Sequence, residues 1–93
     1  MHVTDDTLLI DVRTPMEYAQ GHIAGSLNIP HEQLDAIADA IGERKDRHVV
    51  LFCRSGARSG MAMGQLISQG YTNMANGGGV VDLAERLGVS LEV

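Results

Sequence analysis

Apolar and polar positions along this chain alternate in blocks that predict strands and helices in turn. Thr7-Leu8-Leu9-Ile10-Asp11-Val12 is a short apolar run of the kind a buried strand shows. A helix start follows at once. Thr14 suits the N-cap, Pro15 the first helical position and Glu17 the third, which together make a capping box. That helix is short and ends near Gly21, and Ser26-Leu27-Asn28-Ile29 reads as a second short strand before Pro30. Leu34, Ile37, Ala38 and Ile41 fall at i, i+3, i+4 and i+7, one apolar stripe of a helix that Gly42 is placed to end. Glu43 to Arg47 reads as an exposed turn. His48-Val49-Val50-Leu51-Phe52 is the most apolar run and suits a strand covered on both faces. The next helix, from about Arg58 to Gln69, is expected to bury Ala62, Leu66, Met63 and Ile67 and to stop at Gly70. Thr72-Asn73-Met74-Ala75 is a candidate last strand, and after Gly77-Gly78-Gly79 a helix from Val80 to Leu87 closes the chain.

Strand and helix alternating over short links predict an α/β fold, a small mostly parallel central sheet with helices on both faces. Ligands of such sheets bind at the carboxyl ends of the strands. The 93 residues are enough for one domain, so 1–93 is expected to be a single unit. A hydrophobic content of 44% fits a folded globule, and with Phe52, Tyr18 and Tyr71 the only aromatics its core must be aliphatic. The net charge of −5 argues against nucleic acid and anionic membrane as partners. No apolar run approaches the ~20 residues that cross a bilayer. The start Met1-His2-Val3-Thr4-Asp5-Asp6 lacks a basic segment followed by an apolar one. As written the chain is therefore expected in the cytoplasm, and in the periplasm if a leader has been removed.

The single cysteine narrows the chemistry. It allows no internal disulfide, so any reaction of its sulfur must finish on an outside partner. Cys53 stands where the most buried strand ends and a helix begins, in the loop Cys53-Arg54-Ser55-Gly56-Ala57-Arg58. Gly56 allows backbone angles other residues avoid, and small neighbours let successive N–H groups turn inward to cradle an anion above the helix N-terminus. A thiolate there is favoured by those donors, by the helix end and by Arg54 and Arg58. Such surroundings lower a cysteine pKa from about 8.5 to roughly 3.5–7.5. The competing reading is an inert core cysteine, for which two arginines and a glycine loop are poor company. Arg58 is a cation in the first turn of a helix, where it opposes the dipole, and that points to a local anion. Arg54 reads more simply as a residue of the pocket rim.

These residues resemble the rhodanese homology domain, the sulfurtransferase fold. One stretch is the loop Cys53-Arg54-Ser55-Gly56-Ala57-Arg58-Ser59. Another, from Asp11-Val12-Arg13 through Glu17-Tyr18 and Gly21-His22-Ile23 to Ile29-Pro30, is similar to the N-terminal signature of that family almost position by position. A weaker match is Gly70-Tyr71 followed by Asn76-Gly77-Gly78. Length and ending look most like the single-domain phage-shock-protein-E type. The resemblance implies a cysteine thiolate that takes sulfane sulfur from thiosulfate or a similar donor. The sulfur is then held as a persulfide and passed to cyanide or another thiol, with thioredoxin or glutathione among the candidate acceptors. Carried onto this chain, Cys53 is the nucleophile and persulfide carrier. The backbone of Arg54, Ser55, Gly56, Ala57 and Arg58 cradles the outer sulfur, and the two arginines attract the donor anion. No metal or organic cofactor is needed for this. Many relatives carry a Trp after the paired glycines; here the region reads Val80-Val81-Asp82-Leu83, with Leu83 positioned to replace part of its packing.

The N-terminal signature reads as structural. Asp11, Arg13 and Glu17 are expected to form an Arg13–Glu17 or Arg13–Asp11 network that fixes the strand-to-helix turn, with His22 in a structural turn. His2, His31 and His48 show no metal-ligand spacing, so no metal is expected. Two other functions fit less well. Tyrosine phosphatases place five residues between cysteine and arginine, whereas Cys53 and Arg58 have four between them, a tighter cradle suited to one sulfur atom. A regulatory or binding module of the same fold often lacks the cysteine, and here it stands in an intact loop.

Overall fold

Four strands and four helices form in a computed structural model that describes residues 2–93. They run in the order β1 (Leu8–Asp11), α1 (Pro15–Ala19), β2 (Leu27–Asn28), α2 (Leu34–Ile41), β3 (Val49–Cys53), α3 (Ala57–Ser68), β4 (Met74–Gly79) and α4 (Val80–Leu87). The strands make one sheet in the order β2-β1-β3-β4, and every pairing within it is parallel. The chain leaves β1 toward one edge for β2, then crosses back to β3 and continues to β4 at the other edge. The reversal falls between β1 and β3, and the crevice at their carboxyl ends is where this class of sheet receives ligands.

Central strand β3 is buried at all five positions, as its unbroken apolar run predicts. Its side chains divide by parity between two cores. Val49, Leu51 and Cys53 join Ile37 and Ile41 of α2 and Ala62 and Leu66 of α3. Val50 and Phe52 join Ile23 and, from α4, Val80, Leu83 and Ala84. Helices thus cover both faces, and Leu83 is fully buried in the second core. No helix among the described residues is long and apolar enough to cross a membrane.

Local signals set most boundaries. Thr14 Oγ1 accepts from Glu17 N–H at 3.3 Å while a Glu17 carboxylate oxygen accepts from Thr14 N–H at 3.0 Å, the reciprocal capping box expected of this spacing. Gly42 ends α2. Two expectations need correction. Ile67 is not buried; it is 50% exposed. The buried stripe of α3 is Ser59, Ala62 and Leu66, with Met63 partly covered, and Ile67 lies about 110° around the helix from the middle of that stripe. The last strand does not stop at Ala75 but runs through the glycines to Gly79. Glycine is a poor strand former, yet here the missing side chain is needed. A Cβ on Gly79 would lie 2.6 Å from the Arg54 carbonyl oxygen. β4 can therefore press against the loop that follows β3 only as glycine.

Candidate functional site

Cys53 is the last residue of β3, beside the reversal point of the sheet, and its side chain continues the core face toward the start of α3. The link turns at Gly56, which caps α3 with φ +98°, a left-handed conformation that favours glycine. A Cβ there would also meet the Gly78 Cα at 3.1 Å. That turn aims the Gly56 N–H at the Cys53 sulfur, 3.0 Å away. Burial by itself pushes the Cys53 thiol up. The backbone N–H and hydroxyl of Ser59, followed by the N–H groups of Ser55 and Gly56, outweigh it and bring the pKa down to about 7. Near neutral pH about half of the sulfur is then thiolate.

Two residues behind this arrangement, Ser59 at the sulfur and Asn76 next to it, are not singled out by the sequence. Ser59 is fully buried and its hydroxyl lies 3.6 Å from the Cys53 sulfur. Asn76 of β4 accepts from that hydroxyl at 2.7 Å and from Gly78 N–H at 3.0 Å, and its amide donates to the Gly56 carbonyl at 3.0 Å. A signal for Ser59 existed. It is a polar residue at the i−3 and i−7 positions of the Ala62–Leu66 stripe, where a core residue belongs.

The charged residues pair in a way that sequence spacing resolves only in part. Arg13 takes Asp11, with Nη2 donating to the carboxylate at 2.7 Å and to the Gly21 carbonyl at 2.8 Å, both side chains being buried. The alternative Arg13–Glu17 pair does not form. Glu17 instead receives both guanidinium nitrogens of Arg58, at 2.8 and 2.9 Å, across the crevice from α3 to α1. The anion that a cation at the start of α3 calls for is therefore a residue of this chain. Glu17 first, and then the charge on the Cys53 sulfur, hold Arg58 firmly protonated. Arg54 is exposed, has no carboxylate partner among the described residues, and lines a cleft of about 300 Å³ with Arg13, Glu17, Gln20, Val81 and Leu91. A larger cleft of about 590 Å³, lined by Asp5, Asp6, Asp46 and His48 among others, lies at the opposite ends of the strands and holds no cysteine. His22 stacks on the Tyr18 ring with centroids 4.0 Å apart and its backbone pairs with Glu92, away from the sulfur. Among the described residues, no cluster of three or more His, Cys, Asp or Glu could hold a metal ion.

The ion pair carries a pH signature. Arg58 and the Thr14 N–H lower the Glu17 carboxyl from 4.5 to about 2. A depressed carboxyl pKa contributes stability that is complete above the unfolded value and is lost as pH falls toward the folded one. Thermal stability is thus expected to decline between about pH 5 and pH 2. In Glu17→Gln, which keeps the acceptor oxygen of the capping box, this decline should be smaller. The freed Arg58 charge should also lower the Cys53 pKa. Melting curves and thiol titrations of both proteins check this; equal pH dependence in the two would show that the pair does not contribute.

A parallel α/β sheet with a low-pKa cysteine in an N–H cradle at its reversal point defines a thiolate-carrying α/β domain. The family model for the rhodanese-like domain matches residues 2–83. A sulfurtransferase from Allochromatium vinosum is 46% identical over 84% of this chain and 72% of its own length. The thiosulfate sulfurtransferase PspE of Escherichia coli is 41% identical over 81% of this chain and 72% of its own. Among solved structures, a rhodanese with anions from E. coli superposes with a TM-score of 0.78 at 39% identity, covering 84% of this chain and 92% of that one. The chain belongs to the rhodanese-like family.

Proposed function

We propose that this protein is a sulfurtransferase, one domain over residues 1–93, that moves sulfane sulfur from thiosulfate or a similar donor to cyanide or a thiol through a persulfide on Cys53. The observation that carries this reading is the Cys53 sulfur, with a pKa of about 7, receiving N–H donors from the loop that follows it. The family relatives named sulfurtransferase and thiosulfate sulfurtransferase support it.

In the first step the Cys53 thiolate attacks the outer sulfur of thiosulfate. A new S–S bond forms, the S–S bond of the donor breaks, and sulfite leaves with the electron pair. The product is a persulfide whose negative charge has moved to the outer sulfur, where the N–H groups of Arg54 to Arg58 offer hydrogen bonds. In the second step cyanide or a thiolate attacks that outer sulfur and expels the Cys53 thiolate. Arg54, free of a carboxylate partner, attracts the donor dianion. Arg58 assists with a charge that Glu17 partly offsets. Asp11, Arg13, Glu17 and His22 hold the scaffold under the loop. Glutathione and thioredoxin are the candidate thiol acceptors in a cytoplasmic setting; export to the periplasm would replace them.

Incubation with thiosulfate is expected to add the mass of one sulfur atom to the protein, and cyanide should then remove it as thiocyanate. Cys53→Ser should abolish both. The loading rate should rise with pH through about 7 and level off above it, because only the thiolate attacks. Hydrolysis of an aryl phosphate without thiocyanate formation would replace this reading with a phosphatase. No mass gain at all would leave a binding module.

A further inference from the structure

The Ser59 hydroxyl has one proton and three acceptors within reach: the Asn76 side-chain oxygen at 2.7 Å, the Gly56 carbonyl at 3.2 Å and the Cys53 sulfur at 3.6 Å. A hydroxyl donates to one acceptor at a time. Asn76 is fixed in the orientation that keeps its oxygen toward Ser59, because Gly78 N–H donates to the same oxygen and its amide donates to the Gly56 carbonyl. The shortest of the three distances is thus to a neutral oxygen on another strand, while the sulfur waits at the longest. We propose that Asn76 is a positioning residue for the Cys53 sulfur, its side-chain oxygen holding the Ser59 proton while the sulfur is neutral and yielding it when the sulfur bears charge.

The reaction gives this two-acceptor arrangement a use, and in that respect the inference rests on the proposed chemistry. Charge sits on the inner sulfur before loading and again as the acceptor expels it, but on the outer sulfur while the persulfide stands. A hydrogen bond fixed on the inner sulfur would favour the thiolate at all times. It would thereby weaken it as a nucleophile, since nucleophilicity falls as thiol pKa falls. A hydroxyl that returns to Asn76 helps the leaving thiolate without binding the capped sulfur. A hydrogen bond to a charged group is the stronger kind, so the sulfur wins the proton when ionised even from the longer starting distance.

The test is a double-mutant cycle read by titration of the Cys53 thiol through its ultraviolet absorbance, which needs no turnover. The charged group facing the sulfur, Arg58 from α3 with Glu17 of α1 behind it, is unchanged throughout, as is the exposed Arg54 of the loop. Ser59→Ala should raise the Cys53 pKa by roughly one pH unit, the loss of one hydrogen bond to a charge. Asn76→Ala should lower it, because the hydroxyl loses its competing acceptor. In the Ser59→Ala background Asn76→Ala should leave it unmoved. A merely structural role for Asn76, loosening the loop at Gly56, predicts a rise in both backgrounds, and that result would overturn the inference. Asn76→Asp, nearly the same shape, keeps an oxygen acceptor at the same place and holds the hydroxyl more firmly, so it should raise the pKa more in the parent than in the Ser59→Ala background; an equal rise in both backgrounds would count against the proposal. If the titrations follow this pattern while thiosulfate adds no sulfur, the sulfurtransferase reading fails and the Asn76 role stands.

Discussion

Asp11→Ala is expected to destabilise the protein by roughly 3–5 kcal/mol, the loss typical of removing one partner from a buried ion pair. For a domain of this length that is a fall in melting temperature of at least about 12 °C. The Asp11 carboxylate has no exposed surface and receives Arg13 N–H at 3.1 Å, Nε at 2.9 Å and Nη2 at 2.7 Å. Without it, the guanidinium of Arg13, a residue only 7% exposed, keeps the Gly21 carbonyl and loses its counter-charge. Asn28 adds a second tie, donating to the carbonyls of Asp11 and Arg13 at 3.1 and 2.9 Å. β1, the turn into α1 and β2 therefore meet at this pair. Circular dichroism melts provide the measurement. Adding Arg13→Leu to Asp11→Ala should restore part of the loss, since no unpaired charge then remains inside. If Asp11→Ala melts with the parent protein, water must reach Arg13 and the pair is not the anchor its burial indicates.

Gly79→Ala should damage both fold and chemistry, and the chemistry more. Its backbone, φ −84° and ψ 145°, is one that alanine adopts freely, so the argument is steric alone. The added Cβ falls 2.6 Å from the Arg54 carbonyl oxygen, a backbone atom with no flexible tip to swing away. Overpacking of this kind destabilises by about 1–3 kcal/mol. Relief comes only by moving β4 or the residue next to the nucleophile, and that residue begins the N–H cradle. Persulfide loading by thiosulfate is therefore expected to fall well beyond the unfolded fraction measured by melting. Loading at the parent rate in a destabilised protein would mean that β4 yields and the loop does not.

What was legible in the sequence was what is encoded locally. The Thr14–Glu17 box, the four-position stripe of α2, the apolar run of β3 and the bounds of α4 depend on residues within a few positions of one another, and the periodicities of helix and strand expose them directly. The cysteine loop was legible for the same reason, since Cys53, Gly56 and Arg58 are neighbours in the chain. Partner choice was not. Arg58 and Glu17 are 41 residues apart and meet only because α1 and α3 flank the same crevice. Ser59 and Asn76 are 17 apart and meet because β4 lies beside β3. Nor does a run of glycines reveal that its lack of side chains serves a close approach to the Arg54 carbonyl; by propensity it reads as a loop, which is why β4 was expected to stop at Ala75.

The irregularity of β4 has an outcome away from the sulfur. Along β3 the register steps from Leu51 opposite Asn76 to Phe52 opposite Gly78, so one residue of β4 bulges out of the ladder. β4 is also an outer strand of the sheet, where an even row of free N–H and C=O groups would invite a second chain to add itself. The bulge breaks that row on one side, and on the other β2 offers only two residues. The displacement that lets β4 reach the cysteine loop thus also blunts the sheet against self-association, a safeguard that costs this small chain no extra residues.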